Sequence, residues 1–269
     1  MTGFIHPTVI LEGEIKVHDS VRIGPYSVLQ GKISIGDGTV IGPHVNICGN
    51  VSIGARNKIH FGASIGEPAQ AWLNDMDFAQ NSKVVIGDDN IIRENATVHG
   101  SARPQGVTSI GSSNRIYVGA HIAHDCLIAN GVTMVNNVLM AGASQAHDKA
   151  YIAGAAMITT RTRIGRGAMV EAGALVTADV APFFKYSPKG KAYRLCLDVL
   201  KKTCSDVEAH RYREIFQTLK QGTTWDALYA AIENDSLPLI AELHEFMRTS
   251  SEGMASVVKY RRAGALKFR

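Results

Sequence analysis

The stretch Ala120-His-Ile-Ala-His-Asp-Cys126 gathers two imidazoles, a carboxylate and a thiol within seven residues. An imidazole titrates near ~6.5, so at neutral pH it is mostly unprotonated and ready to accept a proton. A carboxylate beside it fixes the tautomer and stabilises the imidazolium that forms. His121, His124 and Asp125 are therefore candidates for general-base chemistry. The bland alternative is that both histidines are polar surface residues, as His18, His44 and His60 would be. A metal site has less support, because the chain holds no HExxH and no CxxC. The four cysteines, Cys48, Cys126, Cys196 and Cys204, read as reduced thiols.

What positions these residues is a repeat of six. Stepping by six from Ile5 reaches Leu11, Val17, Ile23, Leu29 and so on to Ile65, always aliphatic. The phase restarts at Ile86, Ile92 and Val98, and again from Ile110 to Val176. Of 26 such positions only Ala146 is weak. The residue two before is often small or β-branched, as at Val21, Thr39, Ala63 and Ala120, so positions i−2 and i point inward like alternate residues of a short strand. The next three residues make an outward corner. Glycine often opens that corner, as at 24, 36, 42, 54, 87, 111 and 165, and is expected to supply its backbone conformation. This is the hexapeptide β-helix pattern, a parallel solenoid. In known proteins with this repeat three units make one coil, so 26 units imply about nine coils. On this phase His121, His124 and Asp125 all lie on the outside.

Two stretches break the pattern. Residues 67–83 lose the phase, and residues 99–107 keep it but lose the aliphatic; both read as loops ejected from the coil. Loops on a rigid scaffold are usual places for binding residues. After Val176 the period ends. Helical signals follow over 191–203, from the capping box Ser205–Glu208 to about Lys220, from Thr224, and from Pro238 to about Arg248. The expected organisation is a β-helix over 1–185 and an α-helical C-terminal domain over 186–269 with a basic tail.

Bulk composition agrees. Aromatic residues are only 7% of the 269, and seven of the eighteen lie before residue 183. A thin coil core has no room for rings. Among the exceptions, Trp72 and Phe78 fall in the first loop and Tyr117 lies just ahead of the histidine cluster, which marks where a substrate would sit. Net charge is +4, and the stretch 252–269 carries all of it, which argues against nucleic-acid binding along the body. No apolar run is long enough for a transmembrane helix, and the start is no secretory leader, so a cytoplasmic location is expected.

The Ala120–Cys126 stretch resembles the active-site motif of the bacterial UDP-N-acetylglucosamine O-acyltransferases of lipid A synthesis. Ile23-Gly-Pro-Tyr26, Ile41-Gly-Pro-His44, Phe61–Glu67 and Ile92–His99 agree with it, over nearly the whole chain. The resemblance implies an all-β left-handed parallel β-helix followed by a small α-helical domain, assembled as a homotrimer. It implies transfer of a 3-hydroxyacyl chain from acyl carrier protein to the 3-hydroxyl of UDP-N-acetylglucosamine, without metal or cofactor. His124 would be the base, Asp125 its orienting partner, and the Gly142 N–H the oxyanion donor. His121, His99 and Gln70 would line the acceptor site, and Ala172 would fall at the acyl-length ruler.

The chain also departs from the family. Ala143 and Thr159-Thr160-Arg161 stand where the family usually has histidine and His-Gln-Phe, and Ala172 stands for glycine. A side chain at 172 would shorten the acyl groove. Two alternatives stay open: N-acyl transfer to an amino-sugar nucleotide, and a non-catalytic paralogue binding acyl carrier protein or sugar nucleotide. The basic tail would help attract the acidic carrier.

Overall fold

The structure is a computed structural model that describes residues 3–70 and 82–257. It is a left-handed parallel β-helix with a small helical C-terminal part. Each coil has three short strands, so the solenoid has three faces. The first runs through Ile5, Ile23, Ile41 and onward, the second through Leu11, Leu29, Ile47, and the third through Val17, Ile35, Ile53. Every repeat aliphatic from Ile23 to Val176 is buried, including Ala146, so the six-residue phase is the core. The first face forms an 11-stranded sheet. The second and third join into a 14-stranded sheet, because Ile10–Val17, Val28–Ile35 and Asn46–Ile53 run as unbroken strands round the corner between them.

The corners are built differently from the expectation. The backbone turns left-handed at the third residue after the aliphatic, as at Asn95 (φ 56°), Asp125 (φ 62°), Ala143 (φ 58°) and Arg161 (φ 61°). The glycines directly after the aliphatic, Gly66 excepted, do not carry positive φ. They are small because coils stack closely: a Cβ on Gly36 would come within 2.7 Å of the Gly54 carbonyl carbon. Space, not φ, selects them.

Equivalent residues in neighbouring coils lie 18 apart, as in the Val45 to Ser27 hydrogen bond. The spacing becomes 33 between Asn57 and Asn90, across the first loop, and 24 between Asn90 and Asn114, across the second. Both loops leave the coil after the second face (Ile65, Val98) and rejoin it on the third (Ile86, Ile110), so they emerge one above the other from one corner. The Gly100 N–H bonds the Glu67 carbonyl and the Lys83 N–H bonds that of Gly106, which holds the loop bases together. Trp72 and Phe78 lie outside the described residues, as does the basic tail beyond 257.

The coil outlasts its sequence period. Val180 bridges Ile164 in parallel, and Phe184–Ser187 pairs in parallel with Met169–Val170. About ten coils stack, one more than the period counts. The expected helix over 191–203 starts late: Lys191–Leu195 is a strand antiparallel to Phe184–Ser187, and the helix α1 spans only Leu197–Thr203. The remaining helices follow the sequence signals: α2 (Asp206–Gln221, with the Ser205–Glu208 capping box), α3 (Trp225–Ile232) and α4 (Pro238–Arg248).

Aromatics fill the junction between coil and helices. Tyr212 of α2 is fully buried against the edges of Phe183 and Phe184, and its hydroxyl donates to the Pro182 carbonyl at 2.7 Å. A buried ion pair adds a polar anchor. Arg163 on the coil meets Asp179 at 2.7 Å and donates to the Phe246 carbonyl and to Thr249 at the end of α4. The segment after α4 then returns along the coil, with Met254 bridging Asp179 and Val257 bridging Ala192.

Candidate active site

The corner that ejects both loops also carries His124, and His121 stands on the strand that leads into it. His124 is the second corner residue after Ile122, and Gly142 holds the same place one coil on. The imidazole of His124 lies against Gly142. A Cβ there would stand 2.4 Å from Cε1 and 2.5 Å from Nε2. Nδ1 is 2.8 Å from Asp125 Oδ2, while Nε2 makes no hydrogen bond among the described residues. The Gly142 N–H likewise donates to no acceptor there, since the coil ladder uses the amides of Ala141 and Ala143 on either side.

Asp125 is the most enclosed member, with its side chain 5% exposed. Its Oδ1 accepts from the Ser101 hydroxyl and from Arg103 Nε (2.9 Å); its Oδ2 accepts from the Ala102 amide (3.3 Å). Its own amide donates to Thr108 Oγ1 at 2.8 Å. Burial alone would raise the pKa of this carboxyl. The bonds from Ser101, His124, Arg103 and Ala102 outweigh burial and hold it below the usual range. It is therefore an anion at neutral pH.

His121 stands one strand position before Ile122. Its Nδ1 is 2.7 Å from Thr97 Oγ1, and its ring meets that of His99 edge-on with centroids 5.0 Å apart. His99 is buried, and its Nδ1 has no partner among the described residues. Burial lowers the pKa of both, and neighbouring imidazoles lower it further. Glu67 and the Pro68 carbonyl pull His99 partly back. Both rings favour the neutral form.

The second face is polar on one side of His121 and apolar on the other. Asn46, Ser64 and Thr97 precede His121 in register; Leu139, Met157 and Leu175 follow it, each more than two-fifths exposed.

The structure thus gathers His99, His121, His124, Asp125 and Gly142. Gln70 is exposed three residues beyond Glu67, whose strand position faces His99. Ala172 does not join them. It is exposed on the corner between the first and second faces, while His124 is on the corner between the second and third. Tyr117 also sits on that other corner. Sequence reasoning missed Ser101, Arg103, Thr97 and Thr108. The available signal was the 99–107 loop itself, but nothing in its composition says that it folds back onto Asp125.

No protein-family model matches the chain. It is 35% identical over 260 residues to the acyl-(acyl-carrier-protein)–UDP-N-acetylglucosamine O-acyltransferase of Aliivibrio fischeri, covering 94% of this chain and 98% of that one. It is 36% identical over 194 residues to the protein of the same name from Paracoccus denitrificans, covering 71% and 73%. The fold matches UDP-N-acetylglucosamine acyltransferase from Francisella novicida with a TM-score of 0.88 at 29% identity, over 99% of this chain and 100% of that one. A structure from Acinetobacter baumannii matches with a TM-score of 0.87 at 28% identity, over 93% and 99%. Fold and relatives together define an acyltransferase built on hexapeptide repeats. Within that class, the chain belongs to the acyl-(acyl-carrier-protein)–UDP-N-acetylglucosamine O-acyltransferase family. Among the described residues no helix is long and apolar enough to cross a membrane.

Proposed function

We propose that this acyltransferase moves a 3-hydroxyacyl chain from acyl carrier protein to the 3-hydroxyl of UDP-N-acetylglucosamine, the first step of lipid A synthesis, with His124 as general base. The observation that carries the reading is the His124 imidazole, clamped at Nδ1 by Asp125, its Nε2 beside Gly142 and without a hydrogen bond among the described residues. Nε2 takes the proton of the acceptor hydroxyl as its oxygen attacks the thioester carbonyl. Asp125 stabilises the imidazolium, and the free Gly142 N–H meets the oxyanion. As the intermediate collapses the carbon–sulfur bond breaks, and the imidazolium returns its proton to the leaving thiolate.

The polar half of the second face suits the acceptor, with His99, His121 and Gln70 around the sugar nucleotide. The apolar column Leu139, Met157 and Leu175 suits the acyl chain. Ala172 stands at the edge of the second face away from His124, so as a length limit it would meet the chain across that face or from a neighbouring subunit of a homotrimer. A cytoplasmic location goes with this reading. N-acyl transfer draws less support. Thr159 bonds Thr162 and the Val176 carbonyl, and Arg161 pairs with Glu252, so neither is left over for an altered acceptor.

Replacing His124 with Ala should lower kcat/KM by about 10²–10⁴. Near-normal transfer by that variant would end the proposal. Offering UDP-N-acetylglucosamine beside its 3-amino analogue separates O- from N-transfer.

A further inference from the structure

Among the described residues four donors converge on the two oxygens of Asp125, and only one of them is a permanent cation. That one is Arg103, through Nε at 2.9 Å. We propose that Arg103 is a positioning residue of the reaction: through Asp125 it fixes the His124–Asp125 pair and tempers the negative charge that faces the imidazole. The inference rests on His124 as the general base and names what regulates it.

The loop is built to hold this arginine in place. The Ser101 hydroxyl donates to Asp125 and also accepts the Arg103 N–H at 3.0 Å. The Gly106 N–H closes the turn on the Arg103 carbonyl at 3.0 Å. A Cβ at Gly106 would collide with the Ser101 side chain, so a larger residue there would displace the hydroxyl that holds Asp125 and Arg103.

The exposures of the two partners decide what the pair does. Arg103 is 70% exposed and Asp125 only 5%. An exposed arginine loses little on removal, so the pair contributes little to stability. The charge it presents to a nearly dry carboxylate is screened much less. With Arg103 in place, part of the Asp125 charge is neutralised before the imidazolium forms. Without it, the full carboxylate faces His124 and favours the protonated ring, so the base is spent at a higher pH. The other titratable groups around the pair are His99 and His121 on the adjoining strand positions, Glu67 beyond His99, and the buried Cys126 thiol, pushed up to about 11 by burial. None of these is a cation at neutral pH.

The test is the pH profile of kcat/KM for acyl transfer from an acyl carrier protein thioester to UDP-N-acetylglucosamine, in wild type, Arg103→Gln and Arg103→Lys. In Arg103→Gln the acidic limb should move to higher pH by about half to one unit, a further loss of about 3–10-fold on that limb. Arg103→Lys should restore the wild-type limb, and Tm should stay within about 2 °C in both. A limb that stays put in Arg103→Gln, or that moves equally in Arg103→Lys, overturns the assignment. A drop in the plateau alone also overturns it, because that reports only a disturbed loop. His124→Ala measured alongside separates the two failures. If that variant is inactive and the limb does not move, only the role of Arg103 falls. If it is active, the general base itself is wrong.

Discussion

The His124 imidazole stands over Gly142, one turn on along the coil, with no room for a methyl group between them. The base therefore rests on a backbone surface, and the same residue offers it a free amide. Gly142 carries no positive φ, so what keeps it glycine is the ring above it.

Gly142→Ala should push the imidazole off this surface and away from the amide. We expect kcat to fall by about 10²-fold or more while Tm changes little, since the residue faces outward. A variant with normal kcat would show that the contact is incidental.

Asp125→Asn keeps the shape but removes the anion and permits the wrong imidazole tautomer. Activity should fall by at least about 10²-fold across the pH range, with substrate KM nearly unchanged. A rise in KM at constant kcat would instead assign Asp125 to substrate binding.

Acid should destabilise the protein before its carboxylates titrate. His99, His121 and His147 all have pKa values lowered chiefly by burial. The unfolded chain takes up protons at its ordinary value near ~6.5 while the folded chain does not. Between the lowered and the ordinary values the unfolded state binds more protons, so stability falls as pH drops below about 6.5. Calorimetry at pH 7 and pH 5 should give Tm values about 2–5 °C apart, and His147→Gln should narrow the gap. The Asp125 carboxyl, held low, adds its own loss only at more acid pH.

Asp179→Ala should cost about 3–5 kcal/mol, because it strands the Arg163 guanidinium where its side chain is 10% exposed. Denaturant titration of this variant against a paired Arg163→Met, Asp179→Leu double variant checks it. The double variant should recover most of the loss, since an apolar pair leaves no buried charge.

Two glycines test how the corners work. Gly36→Ala meets the backbone of the next coil and should cost about 1–3 kcal/mol. Gly173 has φ 67° but nothing within 4 Å of a new Cβ, so Gly173→Ala should cost about 1 kcal/mol. The reverse order would restore backbone conformation as the reason for the first kind of glycine.

The coil was legible because its rule is strict. One aliphatic in six sets the phase, and the phase places His121, His124 and Asp125 outside the core. The same rule failed past Val176, where Val180 and Phe184 continue the coil at a changed spacing and larger residues fill its end. Lys191–Leu195 reads as helix because Tyr193 and Cys196 fall in register with Leu197 and Leu200, yet its backbone is taken by the sheet edge of Phe184–Ser187. The partners of Asp125 were illegible for another reason. Ser101 and Arg103 lie 24 and 22 residues back, and no periodicity describes a loop that folds across a coil boundary.

Both insertions leave the solenoid at a single edge, and the three residues that turn each corner put few side chains into the core, Ala123 and Phe183 among them. Sequence can therefore drift, lengthen or shorten along this edge without disturbing the aliphatic stack. New specificity in such a scaffold is written in whole loops above a fixed base. The chemistry and the tolerance to change occupy the same line on the molecule, and the rest of the coil is left to hold it straight.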